Sequence, residues 1–564
     1  MKGSQNRRVY FFVGIIALLN LLQAGFTELI YDEAYYWYFS TQLAWGYFDH
    51  PPMVAGMIAL GTLFFKGSLG VRLVGVIMSA ATYLLIWHST AEEKKQAFAN
   101  SFIVLVFSMT LLNAYGFFSL PDTPLLFFTA LLLWLLRLFY QRETWGLSMA
   151  IGLVMAALMY SKYHAVLVIV GALLGNTALL KSKKAWAAVG VSLLVFAPHL
   201  YWLYRNEFVS VAYHLFERPN RAYHFLDFGL GYFVNLMAIF GLTFPFVYQG
   251  LYLSFKSLKL SNKTPRIALM KSMFGIITTV LLFFFVSSFN RRIQTQWIVV
   301  ICVPIAYLVF EILMEHEKLK KQLYWAGLAN IAVIIFLRMG LVYEPWLPIA
   351  YEAHGNKAWT AALKKEVGNA KVVFENSYRN APMYAFYTGE QSFSLNSISY
   401  RQNQYNIDQS EAQMQGERVA YITKEDLESD FSFKKSKNTQ YYGQWISDFK
   451  SYGRLKTVLL TLSEGSITFS IQNPYKESIS IEELRFGLAF LNPYKQFENL
   501  LPISISEPMK DHIIGALETV EVSGRYENPS NIDSAGFIKI SLAHINGPFL
   551  LGGEHEKIKQ WNPF

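Results

Sequence analysis

Long apolar runs alternate with short polar connections through residues 1–341. A helix needs about 20 mostly apolar residues to cross a bilayer, and eleven runs approach or reach that length. These runs are 9–27, 68–90, 98–117, 122–140, 146–160, 163–180, 185–204, 229–254, 272–288, 296–314 and 323–341. The pattern predicts a polytopic α-helical membrane module with about 11 transmembrane helices.

The connections between the runs differ in charge. Every second connection carries lysine or arginine, as at 181–184 and 318–321. Because cytoplasmic loops are enriched in these residues, we expect a cytoplasmic N-terminus, and an odd number of crossings then places the C-terminus outside. Residues 1–27 begin like a signal peptide but are followed by no small-residue cleavage site, which favours a retained first helix. The predicted location is the plasma (inner) membrane.

Residues 342–564 are less apolar and rich in Tyr, Ser, Asn and Gln. The segment AWTAALKKEVG (358–368) has the spacing of an amphipathic helix that ends at Gly368. Four segments alternate apolar and polar residues as strands do: KVVFENSY (371–378), TVLLTLS (457–463), SITFSIQN (466–473) and GFIKISLAHI (536–545). We therefore expect an extracytoplasmic C-terminal domain of mixed α/β or β-rich structure over 342–564.

Composition agrees with a membrane protein. The chain of 564 residues is 53% hydrophobic and 16% charged, whereas soluble domains are about 25% charged. Its net charge of +9 fits positive cytoplasmic loops and contact with membrane lipids, so no nucleic-acid partner is predicted. The single cysteine, Cys302, excludes a disulfide within the chain.

The first outer loop, 28–67, contains the stretch YDEAYYWYFSTQLAWGYFDHPP. An aromatic belt at the membrane edge explains its rings, but it does not explain Asp32 and Glu33. An interfacial helix over 31–48 would place Asp32 and Tyr36 on one face. A helix N-cap is the alternative role for Asp32.

Charged residues recur at the other outer connections. Asp122 precedes the fourth run, where it could instead cap a helix, and Lys162 occupies a short turn, where it could instead snorkel to headgroups. Arginines at these connections depart from the positive-inside trend, and an anionic ligand would account for them because arginine binds phosphate strongly. They are Arg72, Arg205, Arg218, Arg221, Arg291 and Arg292.

These features predict an outer-face pocket with carboxylates beside a phosphate site. Nucleotide sugars and ATP are not ordinarily available there, and no P-loop motif occurs in the sequence. A sugar carried on polyprenyl phosphate fits both points. No cofactor is predicted with certainty; a divalent metal stays open, with Asp49 and His50 as its only candidate ligands.

Five motifs occur in order between residues 8 and 340: DEAYYWYFSTQLAWGYFDHPPMVA, GSLGVRLVGVI, SLPDTPLLFFTALLLWLL, YSKYHAVLVI and QTQWIVVICVP. Together they resemble the membrane module of the bacterial GT-C glycosyltransferases. More narrowly, they resemble the group related to dolichyl-phosphate-mannose protein mannosyltransferases and to the aminoarabinose and galacturonic acid transferases of lipid A.

The resemblance implies roles for individual residues. Asp32 would be the general base towards the acceptor hydroxyl, Glu33 would support it or bind substrate, and Asp122 would be the second catalytic acid position. Lys162 matches the lysine that holds the donor phosphate.

Other positions are assigned to substrate binding. Asp49 and His50 align with an acidic-Lys-Pro stretch, although histidine here replaces lysine. Tyr36, Tyr163 and His164 adjoin these positions and complete the predicted set. The implied reaction transfers a sugar from a polyprenyl-phosphate donor to a lipid, glycan or protein hydroxyl, with inversion.

Three other functions are compatible with parts of the pattern. A transporter or flippase of a lipid-linked saccharide predicts mid-span charges and repeated broken helices. An oligosaccharide ligase or polymerase predicts a pyrophosphate site. A non-catalytic envelope assembly protein predicts that Asp32→Asn keeps its function.

Overall fold

The computed structural model describes residues 6–90, 95–217, 222–258, 264–347, 349–426, 428–436, 438–527, 535–553 and 555–558. The chain forms two compact units. The first comprises Met1–Glu207 and Tyr223–His354, and the second comprises Phe208–Ala222 and Gly355–Phe564.

The sequence placed the domain boundary at 341/342, and the structure places the corresponding division at 354/355. Ala353 packs with Ile30 and Phe118 of the helical unit. The imidazole of His354 lies 2.9 Å from the carbonyl oxygen of Gly340. These contacts keep the residues that follow the last long helix with the first unit.

Helices account for most of the first unit. Up to residue 342 they are α1 (Arg7–Phe26), α2 (Tyr31–Ser40), α3 (Met53–Thr62), α4 (Gly67–Ser89), α5 (Ala99–Ser108), α6 (Thr110–Ala114), α7 (Asp122–Gln141), α8 (Trp145–Ser161), α9 (Ala165–Gly175), α10 (Lys183–Arg205), α11 (Val209–Ala212), α12 (Gly231–Ala238), α13 (Phe244–Leu258), α14 (Pro265–Ser287), α15 (Cys302–Leu313) and α16 (Glu317–Val342). The short helix α11 belongs to the second unit.

The predicted membrane module is confirmed as a polytopic helical bundle. Within the described ranges, six helices are long and apolar enough to cross a bilayer: α1, α4, α7, α10, α14 and α16. A seventh crossing is available if Leu226–Ala238 and Gly241–Leu258, which are bent by 94°, count as one span. Each of the eleven predicted runs contains helix, but their number as crossings stays a prediction.

Two helix interruptions share one polar anchor. Asn330 of α16 is buried, and its amide nitrogen donates to the carbonyl oxygen of Ser108 (2.5 Å) and the hydroxyl of Thr110 (3.0 Å) between α5 and α6. Its amide oxygen accepts the backbone N–H of Leu242 (3.0 Å), which precedes α13. Interrupted helices persist in a membrane only where such freed backbone groups find partners.

The first outer loop differs from its prediction. The helix predicted over 31–48 ends at Ser40, where the Tyr47 hydroxyl donates to the carbonyl oxygen of Phe39 (2.9 Å) and the two rings stack 4.3 Å apart. The Phe39 carbonyl, which also accepts the backbone N–H of Gln42 (3.2 Å), is thus one of the terminal carbonyls that a side chain satisfies. A further helix, α3, follows Pro52 and was not predicted.

The second unit contains both predicted kinds of structure. Besides α11, its helices are α17 (Asn356–Val367), α18 (Asn380–Thr388) and α19 (Glu507–Lys510), and its strands are β1 (Lys371–Glu375), β2 (Ser392–Leu395), β3 (Val419–Thr423), β4 (Phe431–Ser436), β5 (Thr439–Ile446), β6 (Lys456–Ser463), β7 (Ser466–Gln472), β8 (Ile479–Ser480), β9 (Leu484–Leu491), β10 (Phe497–Ile505), β11 (Ile513–Ile514), β12 (Thr519–Arg525), β13 (Phe537–His544) and β14 (Glu556–Lys557).

These strands form an α/β part followed by an antiparallel part. The five-stranded sheet has the order β2-β1-β3-β5-β4, with β1 parallel to β2 and β3. The seven-stranded sheet has the order β14-β13-β9-β10-β12-β7-β6 and is antiparallel. The predicted helix at 358–368 and all four predicted strands are confirmed, since alternation such as Ile467, Phe469 and Ile471 in β7 points every second side chain into the core.

The anchor at Asn330 leads to a prediction. Asn330→Ala should lower the thermal unfolding midpoint of the detergent-solubilised chain, because several buried backbone groups lose partners at a cost of about 1–3 kcal/mol. Asn290→Ala, at an exposed position, is the control and should leave the midpoint unchanged. Equal midpoints for the two variants would contradict the anchoring role.

Candidate active site

The carboxylate of Glu33 forms an ion pair with Arg72 that is closed to solvent. Both side chains have no exposed surface. The guanidinium of Arg72 donates to both carboxylate oxygens of Glu33, at 2.8 and 2.5 Å. Its other N–H groups donate to the carbonyl oxygens of Ala24 (3.0 Å), Thr27 (2.7 Å) and Glu28 (2.9 Å). All five guanidinium donors therefore have acceptors.

Glu33 also binds backbone on two other segments. One carboxylate oxygen accepts the N–H of Ser119 (2.9 Å), and the other accepts the N–H of Ile30 (3.3 Å). The Arg72 guanidinium lies 5.4 Å from the ring centre of Phe118. The pair therefore joins the end of α1, the start of α2, helix α4 and the turn before α7.

This geometry bears on two predicted roles. Arg72 was predicted to bind the donor phosphate, and its five guanidinium donors have acceptors inside the protein. Glu33 was predicted to support the catalytic base or to bind substrate, and its buried carboxylate accepts from Arg72 and two backbone N–H groups. Both roles stay predictions.

A second buried pair joins Asp122 and Lys162. The ammonium of Lys162 lies 2.7 and 2.9 Å from the two carboxylate oxygens of Asp122, and each side chain is less than 10% exposed. Asp122 is the first residue of α7, and Lys162 follows the last residue of α8. Because its ammonium binds Asp122, Lys162 does not snorkel to lipid headgroups. The structure thus brings together two residues that the sequence selected separately.

Tyr115 lies near both this pair and Asp32. Its hydroxyl lies 3.5 Å from an oxygen of Asp122, and the charges of both Asp122 and Asp32 act on it. Asp32 is partly exposed on α2, unlike the neighbouring Glu33. Asp32 is therefore the carboxylate of this group that solvent or a substrate can reach. The sequence reasoning did not single out Tyr115.

Tyr351, which follows α16, also lies beside the group. Burial raises the pKa of Tyr351 to about 12. The negative charges of Glu352, Glu33 and Asp32 act in the same direction. Tyr351 therefore remains a protonated phenol near neutral pH and keeps a proton that it can donate.

Two predicted substrate residues near the first outer loop, Tyr36 and His50, contact each other. The rings of Tyr36 and His50 are 5.4 Å apart in an edge-to-face arrangement. Tyr36 and Asp49 are buried, whereas His50 is half-buried. The backbone N–H of Tyr47 donates to the carbonyl oxygen of His50 (3.1 Å), which closes the loop. Their role in substrate binding stays a prediction.

The remaining predicted residues lie at other helix ends. Arg205 ends α10 and Arg292 follows α14, and both are exposed. Arg291 is half-buried, and Arg218 and Arg221 lie outside the described residues. The ring centre of His164 lies 5.1 Å from that of Phe284 and 5.8 Å from that of Trp297. None of these contacts tests the predicted phosphate or substrate roles.

His199 is a polar residue of the membrane module whose contacts the sequence did not reveal. It is fully buried in α10 and lies between the carbonyl oxygen of Trp45 (2.6 Å) and the hydroxyl of Tyr163 (3.2 Å). An ionisable residue inside an apolar run is the available sequence signal, because such residues are rare in membrane helices.

Metal ligands form no cluster in the part of the chain that the structure describes. No group of three or more His, Cys, Asp or Glu side chains there has an arrangement that could hold a metal ion. The predicted pair Asp49 and His50 therefore gains no third protein ligand from this set.

Comparisons with known proteins agree with this architecture. Residues 49–202 match the family model described as dolichyl-phosphate-mannose-protein mannosyltransferase. The lipid A galacturonosyltransferase RgtD of Rhizobium johnstonii is 28% identical over 200 residues, which are 34% of this chain. The match spans 42% of that relative, less than half of its length.

Solved structures give the wider fold. ArnT from Cupriavidus metallidurans in the apo state aligns with 77% of this chain and 97% of its own, with a TM-score of 0.56 and 12% identity. The same protein bound to undecaprenyl phosphate aligns with 78% of this chain and 98% of its own, with a TM-score of 0.53 and 12% identity. The chain is a multi-pass membrane protein with the GT-C fold, and the resemblance inferred from its motifs is confirmed.

The Glu33–Arg72 pair leads to a prediction about folding. Arg72→Met should sharply reduce the folded, monodisperse fraction, because it leaves a buried carboxylate without its partner, at a cost of about 3–5 kcal/mol. Arg72→Lys should rescue little, since an ammonium cannot supply five donors in that arrangement. Size-exclusion chromatography of the solubilised chain measures this.

The control for this experiment is Arg205→Met, at an exposed arginine of the same unit. It should leave the folded fraction at the wild-type value. The structural role would be contradicted if Arg72→Met folded as well as this control and lost only activity.

Proposed function

We propose that this chain is an integral-membrane glycosyltransferase of the plasma membrane. It would move a sugar from a polyprenyl-phosphate donor to a hydroxyl acceptor on the outer face. One observation carries the proposal: Asp32 is partly exposed beside a buried Asp122–Lys162 pair, at one end of the helical bundle.

Asp32 would act as the general base. The acceptor oxygen forms a bond to the anomeric carbon while the bond from that carbon to the phosphate oxygen breaks. The acceptor proton passes to Asp32, and polyprenyl phosphate leaves as an anion. A single displacement with base and leaving group on opposite sides of the sugar inverts the anomeric centre.

Lys162 would bind the phosphate that leaves. An ammonium has three N–H donors, and two of them point to the oxygens of Asp122. The third can donate to a phosphate oxygen, and Asp122 holds the ammonium in place for this contact. Arg205, Arg291 and Arg292 lie in connections that the charge pattern assigns to the outer face. They would add positive charge near the phosphate on that face.

The comparisons support the donor and acceptor classes by analogy. The aligned ArnT binds undecaprenyl phosphate, and the matched relative is a lipid A galacturonosyltransferase. A polyprenyl-phosphate-linked sugar is therefore the proposed donor. The acceptor would be a hydroxyl of a glycolipid, a glycan or a protein.

The proposal predicts the effect of one substitution. Asp32→Asn should lower transfer by about 10²–10⁴-fold, the usual contribution of a general base, while the chain stays folded. The measurement is mass spectrometry of envelope lipids and glycans from a strain that lacks the gene and is complemented with each form. A sugar-sized mass should return with the wild type and stay absent with Asp32→Asn.

Asp227→Asn is the matched control, because Asp227 is an exposed carboxylate of the same unit. It should restore the modified molecule as the wild type does. Full restoration by Asp32→Asn would leave Asp32 as a cap or binding group and overturn the proposed mechanism.

A further inference from the structure

His199 is buried in one of the helices that are long enough to cross the membrane. Buried ionisable residues in such helices are costly and are retained where they pair with other polar groups. His199 has two such partners, Trp45 and Tyr163, on two different segments of the first unit.

The partners determine which ring nitrogen carries the proton. The carbonyl oxygen of Trp45 can only accept, so Nδ1 of His199 must donate to it across 2.6 Å. In the neutral ring Nε2 then accepts, and the hydroxyl of Tyr163 donates to it across 3.2 Å. His199 therefore fixes the direction of the Tyr163 hydroxyl as well as its position.

Packing holds the outer loop against the same helix. The indole of Trp202 stacks on His199 at 6.1 Å with an angle of 11° between the planes. A Cβ atom at Gly46 would lie 2.4 Å from the indole of Trp202, so only glycine allows this approach. Residues 45 and 46 are thus held by a hydrogen bond and by close contact with α10.

We propose that His199 is a positioning residue of the donor-phosphate site. It binds both the loop that carries Asp49 and His50 and the turn that carries Lys162 and Tyr163. The distance between these two segments is therefore fixed. This assignment rests on the proposed function, because it takes the phosphate to bind at Lys162. His199 itself would not touch the donor.

The test removes the hydrogen bond between His199 and Tyr163 by changing each residue in turn. His199→Asn keeps a donor near the Nδ1 position and loses the Nε2 contact, and Tyr163→Phe removes the hydroxyl. Binding of undecaprenyl phosphate to the full chain in nanodiscs is measured for both variants and for the double variant. Each single variant should weaken binding about five-fold, which corresponds to about 1 kcal/mol, and the double variant should be no weaker than either.

This double-mutant cycle separates positioning from general damage. Unchanged binding in the single variants, or effects that multiply in the double variant, would overturn the proposal. His88→Asn is the matched control, because His88 has a similar 3.1 Å contact with the hydroxyl of Tyr10 at another helix end. It should bind as the wild type does.

Two further readouts complete the test. Thermal midpoints of Tyr163→Phe and the wild type should agree, so that weaker binding does not reflect unfolding; a large fall in the midpoint with unchanged affinity for the folded fraction would overturn the proposal. A wild-type chain that fails to bind undecaprenyl phosphate would overturn the proposed function, and this assignment with it.

Discussion

The buried ion pair of Glu33 and Arg72 is the constraint on which the rest of the site depends. A charge pair without water is stable only if every donor and acceptor has a partner. Here backbone groups from α1, the start of α2 and the turn before α7 supply those partners. The requirement for complete pairing fixes where the three segments meet. It therefore also fixes where Asp32 and Asp122 lie.

Three acidic side chains at this end of the bundle differ in what surrounds them. Glu33 is fully buried in an ion pair with an arginine, Asp122 is buried in an ion pair with a lysine, and Asp32 is partly exposed. The first two carboxylates pair with cations inside the protein. Under the proposed function, adjacent positions on α2 would divide between holding the fold, at Glu33, and meeting a substrate, at Asp32.

The sequence predicted the kinds of structure better than the contacts between them. Apolar run length and alternation identified the membrane helices and the strands β1, β6, β7 and β13. Burial alternates along β7, whereas the central residues of β1 and β13 are buried on both faces. The early end of α2 coincides with a hydrogen bond from the Tyr47 hydroxyl to the carbonyl oxygen of Phe39, and no periodicity contains that information.

The sequence selected candidate site residues singly and did not show which of them pair with each other. Asp122 and Lys162 are 40 positions apart and Glu33 and Arg72 are 39 apart, so only the packing of the helices shows that they are partners. An outer arginine that binds phosphate and an arginine that pairs inside the protein look alike in a sequence, so the Glu33 partner of Arg72 could not be predicted. His199 was passed over because its partners are a backbone carbonyl and a tyrosine, not a second metal ligand.

The most direct test of this account is a cryo-electron-microscopy structure of the chain in nanodiscs with a polyprenyl-phosphate-linked sugar. The account predicts phosphate density at the Lys162 ammonium, the sugar beside the carboxylate of Asp32, and an unchanged Glu33–Arg72 pair. Phosphate bound to Arg72 with that pair opened, or a donor bound away from Asp32, would contradict it.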